Sequence, residues 1–228
     1  MVIKTIKFTC VSLVALGSLM LGPDANAVDV QRVSLIGDSL VKQSQETYSN
    51  ALDGAGFESI VNGVGSRAVR DGYQCRVNGV LGIYESKIHD GCKPEGILQI
   101  RLWRREGLLG DRLILALGTN DAALYPSSEV KKRLDAARTA AGDIPIHLVT
   151  VAKLTGPKSR GRVEAWNNEA RSWCQRDAAC QMIEWGATKW AKDPGSYTGD
   201  KVHLSGRGLK RRAAYIAQTL KKQVLAEQ

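Results

Sequence analysis

Two hydrophobic rhythms alternate along the chain. Short runs that are apolar at nearly every position are followed by longer stretches in which apolar residues recur every three or four places. The first rhythm suits strands covered on both faces, the second helices that bury one side. Arg32 to Gly37 is the first expected strand, and Val41 to Leu52 predicts a helix stopped by Gly54 and Gly56. Phe57 to Val64 is the second strand, running into the glycine-rich turn Asn62-Gly63-Val64-Gly65-Ser66-Arg67. Residues 68–93 break every period with Gly72, Gly79, Gly82 and Gly91, and are expected to form an irregular excursion. Pro94 to Arg105 predicts a helix with proline in its first turn. Arg112 to Leu117 is the third strand, and Ser128 to Ala141 a helix with Val130, Leu134 and Ala137 on one side. Ile144 to Val151 is the fourth strand, Lys153 to Arg162 a polar loop, and Val163 to Arg176 a helix carrying Trp166 and Trp173. Gln181 to Trp185 is a short fifth strand, and Ser205 to Leu225 the closing helix.

Strands alternating with helices imply an α/β sandwich around a mainly parallel sheet. Ligands of such sheets bind beyond the carboxyl ends of the strands. Those ends carry Ser39, the Gly65 turn, Asn120 and the Lys153–Arg162 loop, so the chemistry-bearing residues are expected on one edge. Lys153, Lys158, Arg160 and Arg162 crowd that loop and suggest a contact with an anionic part of a substrate. Trp166, Trp173, Trp185 and Trp190 are expected to be packing residues.

The first residues have a different character. Lys4 and Lys7 precede an apolar run from Phe8 to Leu21, and Ala25-Asn26-Ala27 has the small-x-small pattern of a cleavage site. Residues 1–27 are therefore expected to be a signal peptide and residues 28–228 a single domain, exported to the periplasm, cell envelope or medium. Export permits disulfides. The four cysteines beyond the signal allow three pairings, and proximity favours Cys75–Cys92 with Cys174–Cys180. Their spacing does not match a zinc site. The net charge is +9, or about +8 once Lys4, Lys7 and Asp24 are set aside. Such a charge favours association with an anionic envelope. No motif for specific nucleic-acid binding accompanies it, and the aromatics do not interleave with the basic residues.

Ser39 stands where a strand gives way to a helix, a position that exposes a hydroxyl while the sheet fixes it. His203 lies three residues after Asp200, so the carboxylate can accept the imidazole Nδ1–H on one turn and leave Nε2 free as a base. His147, inside a strand, is expected to be a core residue, and His89 a surface one. An oxyanion hole needs donors aimed at the developing charge. The candidates are the backbone N–H of Ser39, the side-chain amide of Asn120 and the N–H of Gly65, with Gly63 as the neighbouring possibility. Asp38 is expected to shape the turn rather than to act as the acid.

Four blocks in this order resemble the SGNH, or GDSL, hydrolase superfamily: Gly37-Asp38-Ser39-Leu40, Asn62-Gly63-Val64-Gly65, Gly118-Thr119-Asn120-Asp121 and Asp200-Lys201-Val202-His203-Leu204. The glycine block departs from some members, because Ser66 separates Gly65 from Arg67. No G-x-S-x-G surrounds Ser39, unlike in other α/β-hydrolases. The resemblance implies a three-layer α/β/α sandwich with a flavodoxin-like five-stranded sheet and a monomeric secreted serine esterase that needs no metal or cofactor. Its substrate would be a carboxylic ester, acetyl or acyl, on an envelope glycan or lipid. An O-acyltransferase passing the acyl group to a cell-wall polysaccharide or glycolipid is the alternative, and a catalytically silent envelope-binding protein the third.

Overall fold

The computed structural model describes residues 30–152 and 157–228, the side chains of 157–160 excepted. The expected signal peptide, residues 1–27, lies outside the described residues. The strands in chain order are β1 (Arg32–Gly37), β2 (Glu58–Gly63), β3 (Tyr73–Val77), β4 (Val80–Tyr84), β5 (Lys93–Pro94), β6 (Arg112–Ala116), β7 (Ile146–Val149) and β8 (Cys180–Ile183). The helices are α1 (Ser39–Lys42), α2 (Gln45–Asp53), α3 (Gly96–Arg105), α4 (Thr119–Leu124), α5 (Val130–Ala141), α6 (Pro157–Cys174), α7 (Lys189–Lys192) and α8 (Gly206–Leu225).

Five strands form one sheet in the order β2-β1-β6-β7-β8, and all four pairings are parallel. This is the flavodoxin-like order, whose direction reverses between β1 and β6. Alternate strand residues serve opposite layers. Ile36, Leu113, Leu115, Ile146 and Leu148 pack with Ile97, Trp103, Leu134, Trp166 and Trp173 of α3, α5 and α6. Val33, Leu35, Ile114 and Ile183 pack with Tyr48, Leu52, Ile216 and Leu220 of α2 and α8. Each such side chain, fully buried, stabilises the fold by roughly 1.5–3 kcal/mol relative to exposure. Trp166, Trp173 and Trp185 are buried in these layers, and Trp190 packs partly buried against Tyr215.

The structure departs from the sequence expectation in four places. Residues 68–93 are not irregular: β3, β4 and β5 make a small antiparallel sheet in the order β4-β3-β5. Its hairpin turns at Asn78-Gly79, with φ of 49° and 82°. Two successive left-handed residues are the two-residue turn that matches strand twist. Pro94 belongs to β5, and the helix after it starts only at Gly96. The expected helix over 41–52 is two helices, beginning at Ser39 and interrupted at Gln43–Ser44. The expected loop 153–162 is already helical from Pro157, a residue suited to the first position of a helix. Lys153 and the side chains of Lys158 and Arg160 lie outside the described residues, and Arg162 donates to the Ala123 carbonyl at 2.8 Å. Both expected disulfides are present, Cys75–Cys92 and Cys174–Cys180. Among the described residues no helix is long and apolar enough to cross a membrane.

Candidate active site

The four blocks meet at the carboxyl edge of the sheet. β1 delivers Ser39 as the first residue of α1, and Asp38 caps that helix by accepting the Leu40 N–H at 2.9 Å. Burial pushes the Asp38 carboxyl above its usual range, and nearby Arg212 opposes the shift. The structure thus places Asp38 under the turn. Arg212 donates to the Tyr48 hydroxyl at 2.8 Å, and that hydroxyl donates to the Leu40 carbonyl at 3.3 Å.

His203 arrives from the other end of the chain. Its Nε2 lies 3.1 Å from Ser39 Oγ, and its Nδ1 lies 2.5 Å from Asp200 Oδ2. The other carboxylate oxygen, Oδ1, accepts the backbone N–H of Val202 at 3.0 Å and of His203 at 2.9 Å, and the Thr198 hydroxyl at 2.8 Å. The His203 bond first, then these three donors, hold the Asp200 carboxyl well below the usual carboxylate range. The turn closes through Lys201 at a left-handed φ of 58°. The His203 and Asp200 side chains are 41% and 49% exposed, so the pair is open to water. A bidentate clasp joins the two chain ends: the Gln43 side chain donates to the Leu204 carbonyl and accepts the Leu204 N–H, both at 3.0 Å.

The expected oxyanion donors, Ser39, Gly65 and Asn120, follow the carboxyl ends of the adjacent strands β1, β2 and β6. The backbone N–H groups of Ser39 and Gly65 meet no acceptor among the described residues. The N–H of Gly63, the neighbouring possibility, donates to Gln45 Oε1 at 2.7 Å, which sets it aside as a free donor. Asn120 is the second residue of α4, four residues past the end of β6, and its Nδ2 donates one hydrogen to the Arg67 carbonyl at 2.9 Å. An amide nitrogen has a second hydrogen to offer.

Behind this edge lies a buried polar frame that the sequence reading missed. The Arg67 side chain is fully buried. Glu95 accepts the Ala68 N–H at 2.7 Å, and both Asp121 oxygens accept the Val69 N–H at 3.0 Å. Burial raises the Asp121 pKa to about 7, against the pull of the Val69 N–H and Arg133. Gln74 of β3 donates to the Gly65 carbonyl at 3.0 Å, which ties the small sheet to the glycine turn. The signal available was the pairing of Asn120 with an acid, Asp121, and of Pro94 with another, Glu95, at positions where the chain turns inward. His147 is buried and joined to Gln223 at 2.8 Å, away from Ser39's relay, and His89 is exposed. Among the described residues no cluster of three or more His, Cys, Asp or Glu side chains could hold a metal ion.

No known family's sequence profile matches the chain, and no curated protein matches it in sequence. Its shape is shared with several solved structures. A lipase/acylhydrolase from Enterococcus faecalis superposes with a TM-score of 0.62 at 16% identity, covering 85% of this chain and 97% of that one. The C-terminal catalytic domain of Streptococcus pneumoniae peptidoglycan O-acetyltransferase A gives 0.59 at 15% identity, covering 86% and 94%. A carbohydrate esterase family 3 protein from Talaromyces cellulolyticus gives 0.58 at 16% identity, covering 86% and 99%. Structures of the G-D-S-L lipolytic family from Desulfitobacterium hafniense and Veillonella parvula superpose similarly. The chain therefore has the fold of the GDSL, or SGNH, lipolytic hydrolases.

Proposed function

We propose that the protein is a serine ester hydrolase acting through an acyl-enzyme. The observation that carries this reading is the continuous relay from Ser39 Oγ to His203 Nε2 and from His203 Nδ1 to Asp200. Ser39 attacks the ester carbonyl as His203 takes its proton. Asp200 holds the imidazole tautomer and stabilises the imidazolium. The N–H groups of Ser39 and Gly65 and the free hydrogen of Asn120 Nδ2 receive the oxyanion. His203 then returns the proton to the leaving alcohol, and a second nucleophile, activated by the same imidazole, releases the acyl group.

Water as that nucleophile gives an esterase. A sugar hydroxyl gives an O-acyltransferase, a second reading supported by the half-exposed His203 and by the fold shared with a peptidoglycan O-acetyltransferase domain. The assembled relay favours either enzyme over a catalytically silent binding protein. The two disulfides support export into an oxidising compartment, as does the signal-like start, and the charge supports retention at an anionic envelope. We expect Ser39→Ala to abolish p-nitrophenyl acetate hydrolysis while leaving the circular dichroism spectrum intact. Unchanged turnover would refute the assignment. Product analysis with a glycan acceptor separates transfer from hydrolysis.

A further inference from the structure

We propose that Arg67 is the positioning residue that sets the geometry of the oxyanion hole, an inference that rests on the reading of Ser39 given above. Its side chain is fully buried, yet among the described residues no carboxylate pairs with it. Instead it gathers backbone carbonyls. Nε donates to the Pro94 carbonyl at 3.0 Å, Nη1 to the Asn62 carbonyl at 3.0 Å and, more weakly, the Gly37 carbonyl at 3.5 Å, and Nη2 to Gln99 Oε1 at 3.3 Å. Gly37, Asn62 and Pro94 lie at the carboxyl ends of β1, β2 and β5. The carbonyl of Arg67 itself holds Asn120 Nδ2 at 2.9 Å.

One donor is bonded to Arg67, and the other two lie in short segments that Arg67 contacts. Ser39 follows Gly37 by two residues, Gly65 lies between Asn62 and Arg67, and Asn120 is bonded directly. Peptide groups are planar, so fixing a carbonyl also orients the N–H across its bond, here those of Asp38, Gly63 and Ala68, which flank the Ser39 and Gly65 N–H groups in the chain. The planes here are held at both ends. The Asn62 carbonyl meets Arg67 while the Gly63 N–H meets Gln45, and the Arg67 carbonyl meets Asn120 while the Ala68 N–H meets Glu95. Only a guanidinium presents donors in a rigid fork wide enough to span these acceptors; a lysine ammonium is a point charge with three donors. Its charge is offset at a distance by Glu95 and Asp38, both buried.

The test is a double-mutant cycle between Arg67→Lys and Asn120→Ala, read as kcat and KM on p-nitrophenyl acetate. Arg67→Lys is expected to lower kcat by about 10- to 100-fold, below the loss of a whole donor, with KM changed less than about twofold. In the Asn120→Ala background the same change should cost less than about threefold, because the two residues act on one hole. Unchanged kcat, or an equal loss in both backgrounds, would overturn the proposal and leave Arg67 a residue of the frame alone. Gln99→Met, which removes one acceptor at the far end of the guanidinium, carries the same test if Arg67→Lys does not fold. It should lower kcat in the same direction, and no effect would overturn the proposal. A wild-type protein inert towards the ester, or Ser39→Ala as active as wild type, would instead overturn the reading of the site itself.

Discussion

At Gly63 a Cβ would lie 2.3 Å from the backbone nitrogen of Lys42, whereas at Gly65 the nearest atom would be a lysine methylene at 3.8 Å. Two glycines of one turn are therefore glycine for different reasons. Gly63 lets β2 close against α1, the helix that begins with Ser39. Gly65 leaves room beside its N–H. Gly63→Ala should shift α1, lower stability by about 1–3 kcal/mol and remove esterase activity, whereas Gly65→Ala should keep the wild-type melting temperature. Asn120→Ala should lower kcat by about 10²–10³, measured on a short ester, with the fold intact. That Asp200 would hold His203 and that Ser39 would leave β1 at the sheet's edge were legible in the sequence, because each sits in a short block whose geometry is local. Arg67 and Gln43 were not. Their partners are backbone atoms 27 and 161 residues away, Pro94 and Leu204, and no local pattern announces a bond to a carbonyl.

The five strands of the main sheet were legible to within about two residues, most plainly the central β6 and β7, which are buried along their whole length. The small sheet was not. Its strands alternate weakly, its glycines mask the period, and Val77, Val80, Leu81 and Ile83 are exposed rather than sorted to a core. The Asn78-Gly79 pair was the signal that could have found it. With so little buried, this element leans on Cys75–Cys92, which spans 17 residues. Replacing both cysteines with serine should cost about 3 kcal/mol in the chain-entropy account. Hydrogen exchange should rise across residues 73–94 while the main sheet stays protected. Because Gln74 holds the Gly65 carbonyl, kcat should fall as well. Equal protection with and without the disulfide would show that the element stands alone.

At the scale of the molecule, two buried groups oppose each other in pH. Asp121 has its pKa raised from 3.8 to about 7, so its stabilising contribution is present in acid and is lost as pH rises across that interval. His147, lowered by burial from 6.5 to about 4, contributes above pH 6.5 and loses that contribution as pH falls to about 4. Their slopes cancel in part over a shared window. Asp121→Asn should therefore make stability climb from pH 4 to 6.5, and His147→Gln should make it fall, in urea titrations at stepped pH. Identical profiles for both variants and wild type would contradict the assignment. The layered architecture was readable from the two hydrophobic rhythms. Which charges it buries was not, because burial follows from how the layers close. The closing also has an order. Ser39 leaves the ribosome early, and His203, 164 residues later in the chain, is brought to it only when α8 docks beneath the sheet. On the proposed reading a nascent chain is then inert until Asp200 and His203 have emerged and reached Ser39. Ribosome-bound chains ending at residue 195 should take no fluorophosphonate label, whereas the released protein should take one.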